Sequence, residues 1–189
     1  MRIGIQMSSS KNSKYTNCKK CTLNGNKVYG EIGRKHGILF LGEAPGREEV
    51  EQERVFVGMA GHILDNILEM VQLEKAKREN ITIINTVLCR PPKNRDPSRL
   101  ELKCCRKRVL HTIEKVSPLL IVILGRVAFK SLFQRSPVQG EHFQRLQWNG
   151  ITTLYLYHPA YFLYNKDYNL MKQCSDSIRM ALEGVSWDA

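Results

Sequence analysis

The stretch ILFLGEAPG at residues 38–46 joins two unlike pieces of chain. Its first four residues are an unbroken apolar run with no polar face, which suits a short strand covered on both sides. Gly42, Pro45 and Gly46 then end the strand and force a loop. Beyond it, Ile63, Leu64, Ile67, Leu68 and Val71 fall on one helical stripe and predict a helix over residues 61–73, packed on that strand.

The same alternation repeats downstream. Residues 81–87 read as a second strand, stopped by the rigid basic loop CRPPKNRDP at 89–97. Ser98 with Glu101 three places later is a capping-box signal, and Leu102, Val109, Leu110 and Ile113 carry the predicted helix to about residue 114. LLIVIL at 119–124 is a third strand, followed by Gly125 and a short helix over 126–133. ITTLYLY at 151–157 ends abruptly at His158-Pro159, and a last helix is predicted over 168–182. This order predicts one α/β domain over residues 1–189, a three-layer α/β/α sandwich on a mainly parallel sheet, with residues 1–14 a loose polar end. Function in such sheets sits beyond the carboxyl ends of the strands. GEAPG, NTVLCRPPKNR at 85–95 and HPAYF at 158–162 all follow strands, so they are expected to converge there.

Charge narrows the partners. The 189-residue chain carries 29 Lys and Arg against 18 Asp and Glu, a formal net charge of +11. Such a field favours polyanions without choosing DNA over RNA or a membrane surface. The apolar run at 119–124 is far shorter than the roughly 20 residues that span a bilayer. No apolar segment of signal-peptide length stands near the start, and an intracellular chain is expected.

Six cysteines occur, at 18, 21, 89, 104, 105 and 174. Cys18 and Cys21 form a C-x2-C pair, and Cys89 and Cys105 flank the proline-rich loop. Four thiolates hold either Zn(II) or an iron-sulfur cluster, and spacing alone does not choose between these or unligated core thiols. Cys104, beside Cys105, is an alternative fourth donor, while isolated Cys174 reads as a buried inert thiol. Metal binding at these positions would staple the N-terminal segment to the middle of the chain.

GEAPG at 42–46, FVGMAG at 56–61, NTVLCRPPKNRDP at 85–97 and HPA at 158–160, together with the cysteines, resemble the iron-sulfur, family 4 uracil-DNA glycosylases over residues 18–182. The resemblance implies a central four-stranded parallel sheet and a [4Fe-4S] cluster on Cys18, Cys21, Cys89 and Cys105. It implies hydrolysis of the N-glycosidic bond of uracil in DNA to leave an abasic site, without strand cleavage, by a monomer whose product passes to abasic-site repair proteins. By the same resemblance Phe56 stacks on uracil, Asn85 reads its edge and His158 donates to O2. Gly42, Ala44 and Gly46 supply backbone around the base, and Glu43 and Glu49 are the candidate catalytic carboxylates. Arg90, Lys93, Asn94 and Arg95 form a basic loop expected to hold DNA phosphates, and Tyr161 and Tyr164 are placed to stack on bases or wedge into the duplex.

Four departures bear on activity. Val50 stands where the family commonly has Asp, Glu53 where it has Gly, and Val55 where it has Pro, and Ala160 replaces a usual Ser. Loss of Gly and Pro is expected to change how Phe56 enters the pocket. These differences leave a second reading, a DNA-binding iron-sulfur protein of the same fold with altered specificity or no chemistry.

Overall fold

The computed structural model describes residues 5–6, 17–34 and 37–184. The strands are β1 (Ile5–Gln6), β2 (Glu31–Ile32), β3 (Ile38–Gly42), β4 (Thr82–Asn85), β5 (Leu120–Leu124), β6 (Arg145–Trp148) and β7 (Ile151–Leu156). They form one seven-stranded sheet in the order β1-β2-β4-β3-β5-β7-β6. The middle four, β4-β3-β5-β7, are parallel, with Leu39 opposite Thr82, Ile38 opposite Leu120 and Leu120 opposite Thr152.

β3 is buried along its whole length, and its period of two divides the core. Ile38 and Phe40 face the side that also holds Val122, Leu154, Ile67 and Ile178. Leu39 and Leu41 face Ile121, Ile123, Ile113 and Phe129 on the other. The first side is covered by α2 (Met59–Val71) and α6 (Tyr168–Glu183), the second by α3 (Arg99–Val116) and α4 (Gly125–Phe133). Two shorter helices, α1 (Arg47–Gln52) and α5 (Tyr161–Tyr164), sit in loops that follow β3 and β7. The three-layer sandwich and its four parallel strands therefore stand as expected.

The start of α3 is fixed as its sequence predicts. The Ser98 side chain accepts from the Glu101 N–H at 3.3 Å, and the Glu101 carboxylate accepts from the Ser98 N–H at 2.7 Å. Glu101 is fully buried and also accepts from Thr22 Oγ1 at 2.6 Å and from both Arg95 nitrogens at 2.7 and 2.9 Å. These bonds, led by Arg95, outweigh desolvation and pull its pKa down to about 2.

Several elements depart from the sequence reading. β2 and β6 add antiparallel edges to the parallel centre. Within the stretch read as a loose end, Ile5–Gln6 pair with β2, while residues 1–4 and 7–16 lie outside the described residues. Residues 47–52, read as loop, form α1. Among the described residues, no helix is long and apolar enough to cross a membrane.

Candidate active site

The loop after β3 is tied to the chain leaving β4. Thr86 N–H donates to the Gly42 carbonyl at 2.9 Å, and Thr86 Oγ1 donates to the Glu43 carbonyl at 2.5 Å. Glu49 then locks this loop to the one carrying Phe56. Its buried carboxylate accepts from the N–H groups of Gly46 at 3.0 Å, Val57 at 3.0 Å and Gly58 at 2.8 Å. Three backbone donors thus converge on a side chain that the sequence reading made catalytic, and its structural work is to hold the two loops together.

Phe56 enters the site with φ 50, a left-handed conformation. The preceding carbonyl, Val55 O, accepts from Arg78 at 2.6 Å, and Arg78 is itself held by Asp65 at 2.8 Å. Gly42 makes room for the ring. A Cβ there would lie 2.5 Å from Asn85 Oδ1 and 2.6 Å from Phe56 Cζ, contacts that no side chain tolerates. Asn85 is buried at the end of β4, and its Oδ1 has no hydrogen-bond partner.

His158 follows β7 and lies 5.9 Å from the Phe56 ring, centroid to centroid. The Ala160 N–H donates to its Nδ1 at 3.2 Å, which leaves the proton of the neutral ring on Nε2. Burial lowers its pKa to about 4 against a small opposing pull from Glu49, so the ring is neutral at pH 7. Glu43 shifts the other way. Burial first, then the Asp96 charge, raise its pKa to about 7 against the opposing pull of Arg126.

These groups enclose a cavity of about 430 Å³. It gathers the predicted residues Glu43, Ala44, Gly46, Glu49, Phe56, Asn85, Asn94, Arg95, His158 and Tyr164, and adds Leu163. Gly42 contacts Phe56 and Asn85 from the strand end. Arg90, Lys93 and Tyr161 are not part of the lining. Arg90 donates to Asn94 Oδ1 at 2.7 Å, Lys93 is exposed, and Tyr161 packs on Tyr157 with centroids 4.8 Å apart. Arg95, expected to hold a phosphate, spends its guanidinium on Glu101. Sequence reasoning missed Arg78 and Thr86, whose partners come from distant parts of the chain.

The cysteines gather beside this site. Asn17 N–H donates to the Cys104 carbonyl at 3.0 Å, Val28 N–H donates to Leu88 O at 2.8 Å, and Lys27 bridges Cys89, so the early segment is stapled to the middle of the chain. Cys21, Cys89 and Cys105 share one small core with Leu23 and Leu88. Burial, then the neighbouring Cys105 charge, with smaller contributions from Cys18 and Cys21, pushes the Cys89 thiol up to about 11. Among the described residues no three His, Cys, Asp or Glu side chains are set to hold a single metal ion. A four-iron cluster is larger than one ion, and the soft, all-sulfur donor set fits it. A buried cation, Arg108, lies one helical turn past Cys105, as a site of bound thiolates would favour. Cys174 is buried in the opposite core layer, apart from the rest.

Fold and pocket together define an α/β protein with a cavity at the carboxyl edge of a parallel sheet, lined by Phe56, Asn85 and His158. Residues 29–179 match the family model of the uracil DNA glycosylase superfamily. The chain is 34% identical to the type-4 uracil-DNA glycosylase of Saccharolobus solfataricus over 89% of its own length and 82% of that protein. It is 37% identical to the type-4 enzyme of Sulfurisphaera tokodaii, over 88% and 79%, and 36% identical to that of Archaeoglobus fulgidus, over 78% of each. This chain belongs to the uracil DNA glycosylase superfamily, in its type-4 group.

Proposed function

We propose that the chain is a monofunctional glycosylase that hydrolyses the N-glycosidic bond of uracil in DNA and leaves an abasic site. The observation that carries this reading is Asn85, whose buried amide oxygen lacks a partner beside Phe56 and His158. Uracil offers N3–H as donor and O4 as acceptor, which an amide matches with Oδ1 and Nδ2, while cytosine presents the reverse. Phe56 supplies the stacking face for a flipped base.

Bond breaking places positive charge on the sugar and negative charge on the departing base. The neutral His158, with its proton on Nε2, donates to O2 as that charge develops. Glu43, once ionised, orients water or stabilises the sugar cation, and Glu49 keeps the two loops in register rather than touching the water. Arg90, Lys93 and Asn94 meet the phosphates, and Tyr161 and Tyr164 meet neighbouring bases, contacts that set position rather than base identity. The abasic product requires a repair activity that acts on it next.

Cys18, Cys21, Cys89 and Cys105 are the residues that would hold a [4Fe-4S] cluster. When bound, it supplies a cross-link between the early segment, the loop after β4 and α3. Asn85→Asp tests the base-reading assignment by setting an acceptor where O4 needs a donor. We expect kcat/KM on uracil-containing DNA to fall by at least about a hundredfold, with affinity for undamaged DNA kept. Unchanged excision and selectivity would remove Asn85 from this role.

A further inference from the structure

Among the described residues Arg108 is the largest fully buried side chain, with 1% exposure. It lies on α3 three residues after Cys105, on the same face of the helix. Its guanidinium donates to the carbonyl oxygen of Asn85 and, at 3.5 Å, to that of Thr86. Its Nε has no partner, and among the described residues no carboxylate pairs with it. A buried cation without an anion carries a heavy desolvation penalty, and carbonyl oxygens offset only part of it. The groups able to bear opposite charge near it are Cys105 and Tyr29. A free thiol or phenol is neutral at pH 7, whereas a metal-bound thiolate is permanently charged.

We propose that Arg108 is the buried counter-cation of the thiolate site formed by Cys18, Cys21, Cys89 and Cys105, and that it fixes the Asn85 carbonyl at the same time. Occupancy of the cysteine site then sets the position of the amide that reads the base. Arg108 is a positioning residue, since it acts through Asn85 and through the cysteines. The inference rests on the cluster reading given above and deepens it.

The test separates charge from packing by comparing Arg108→Lys, which keeps the charge, with Arg108→Gln, which keeps a donor without it. The full chain is loaded with iron and sulfide, then challenged with an iron chelator while bound iron and the visible absorption of the cluster are followed. The Gln variant should lose iron roughly tenfold faster than wild type, and the Lys variant should stay close to wild type. Thermal midpoints are taken on loaded and iron-stripped protein. Arg108→Gln should lower the midpoint of the loaded form and leave that of the stripped form equal or higher, because there the cation is uncompensated.

Equal iron retention in the Gln and Lys variants, or the same midpoint loss with and without iron, would make Arg108 a packing residue and overturn the proposal. Wild-type protein that takes up no iron overturns it as well. Uracil excision by that iron-free protein would still leave the glycosylase reading standing, so the two failures are distinguishable. If the Gln variant does not fold, the Lys variant decides: rapid iron loss from it contradicts a role carried by charge.

Discussion

At the scale of single residues, the pocket depends on what Gly42 lacks. Asn85 and Phe56 occupy the volume its side chain would need, so one hydrogen in place of a methyl lets the two groups meet. The titration of Glu43 gives this site a pH signature. Its pKa of about 7 lies above the ordinary carboxylate value of 4.5, so the fold favours its protonated form. That contribution to stability is full below pH 4.5 and is lost as pH rises through 7. In the proposed reaction the ionised form acts, so kcat/KM should climb about tenfold per pH unit below 7 and level off above it. Glu43→Gln should abolish that limb and lower the plateau, as a pH profile of single-turnover excision will show; a limb that persists unchanged assigns it to another group. His158 does not set this limb. Its pKa of about 4 lies below the usual 6.5, so its contribution to stability is present above pH 6.5 and fades as pH falls through 4.

Residue identities were easier to read than residue jobs. Asn85 and His158 were legible because each closes or follows a strand whose apolar run is plain in the sequence, and Phe56 through the resemblance carried by FVGMAG at 56–61. Glu49 and Arg95 also line the cavity, but their partners are backbone N–H groups from residues 57 and 58 and a carboxylate on α3. Spacing does not reveal such partners, since they meet only once the loops have folded. Arg108 was invisible for the same reason, its value lying in carbonyls 22 and 23 positions away.

At the scale of elements, the helix α1 ends at a place where this chain is strained. Its C-cap, Glu53, has φ 53 and ψ 30, the left-handed conformation that a glycine adopts without steric cost. The family's usual Gly at this position thus has a physical reason, and Phe56, three residues on, also has positive φ. Glu53→Gly should stabilise the protein by about 1 kcal/mol, measured by chemical denaturation. Loss of stability would mean that the Glu53 side chain contributes more than its backbone costs. The missing Pro at 55 is replaced by other means, because Val55 is fully buried and its carbonyl is held by Arg78. The four core strands and the four helices that cover the sheet were legible from periodicity and capping. The β6–β7 hairpin was missed although Asn149-Gly150 joins Trp148 to Ile151, a strong hairpin signal. Its first strand is only four residues long, with exposed Arg145 and Gln147 alternating with half-buried Leu146 and Trp148, an alternation too short to stand out.

At the scale of the whole molecule, the sheet order places the site. The chain passes from β3 to β4 on one side and returns to β5 on the other, so the loops part at the carboxyl edge and leave a crevice there. The chain's formal net charge of +11 favours association with a polyanion. The most direct measurement uses end-labelled DNA with one uracil, incubated with iron-loaded protein and then treated with alkali, beside a His158→Ala control. Cleavage at the uracil that depends on alkali, and is greatly reduced in the variant, is the predicted result. Intact DNA despite measurable binding, or a cut that needs no alkali, would contradict a monofunctional uracil glycosylase.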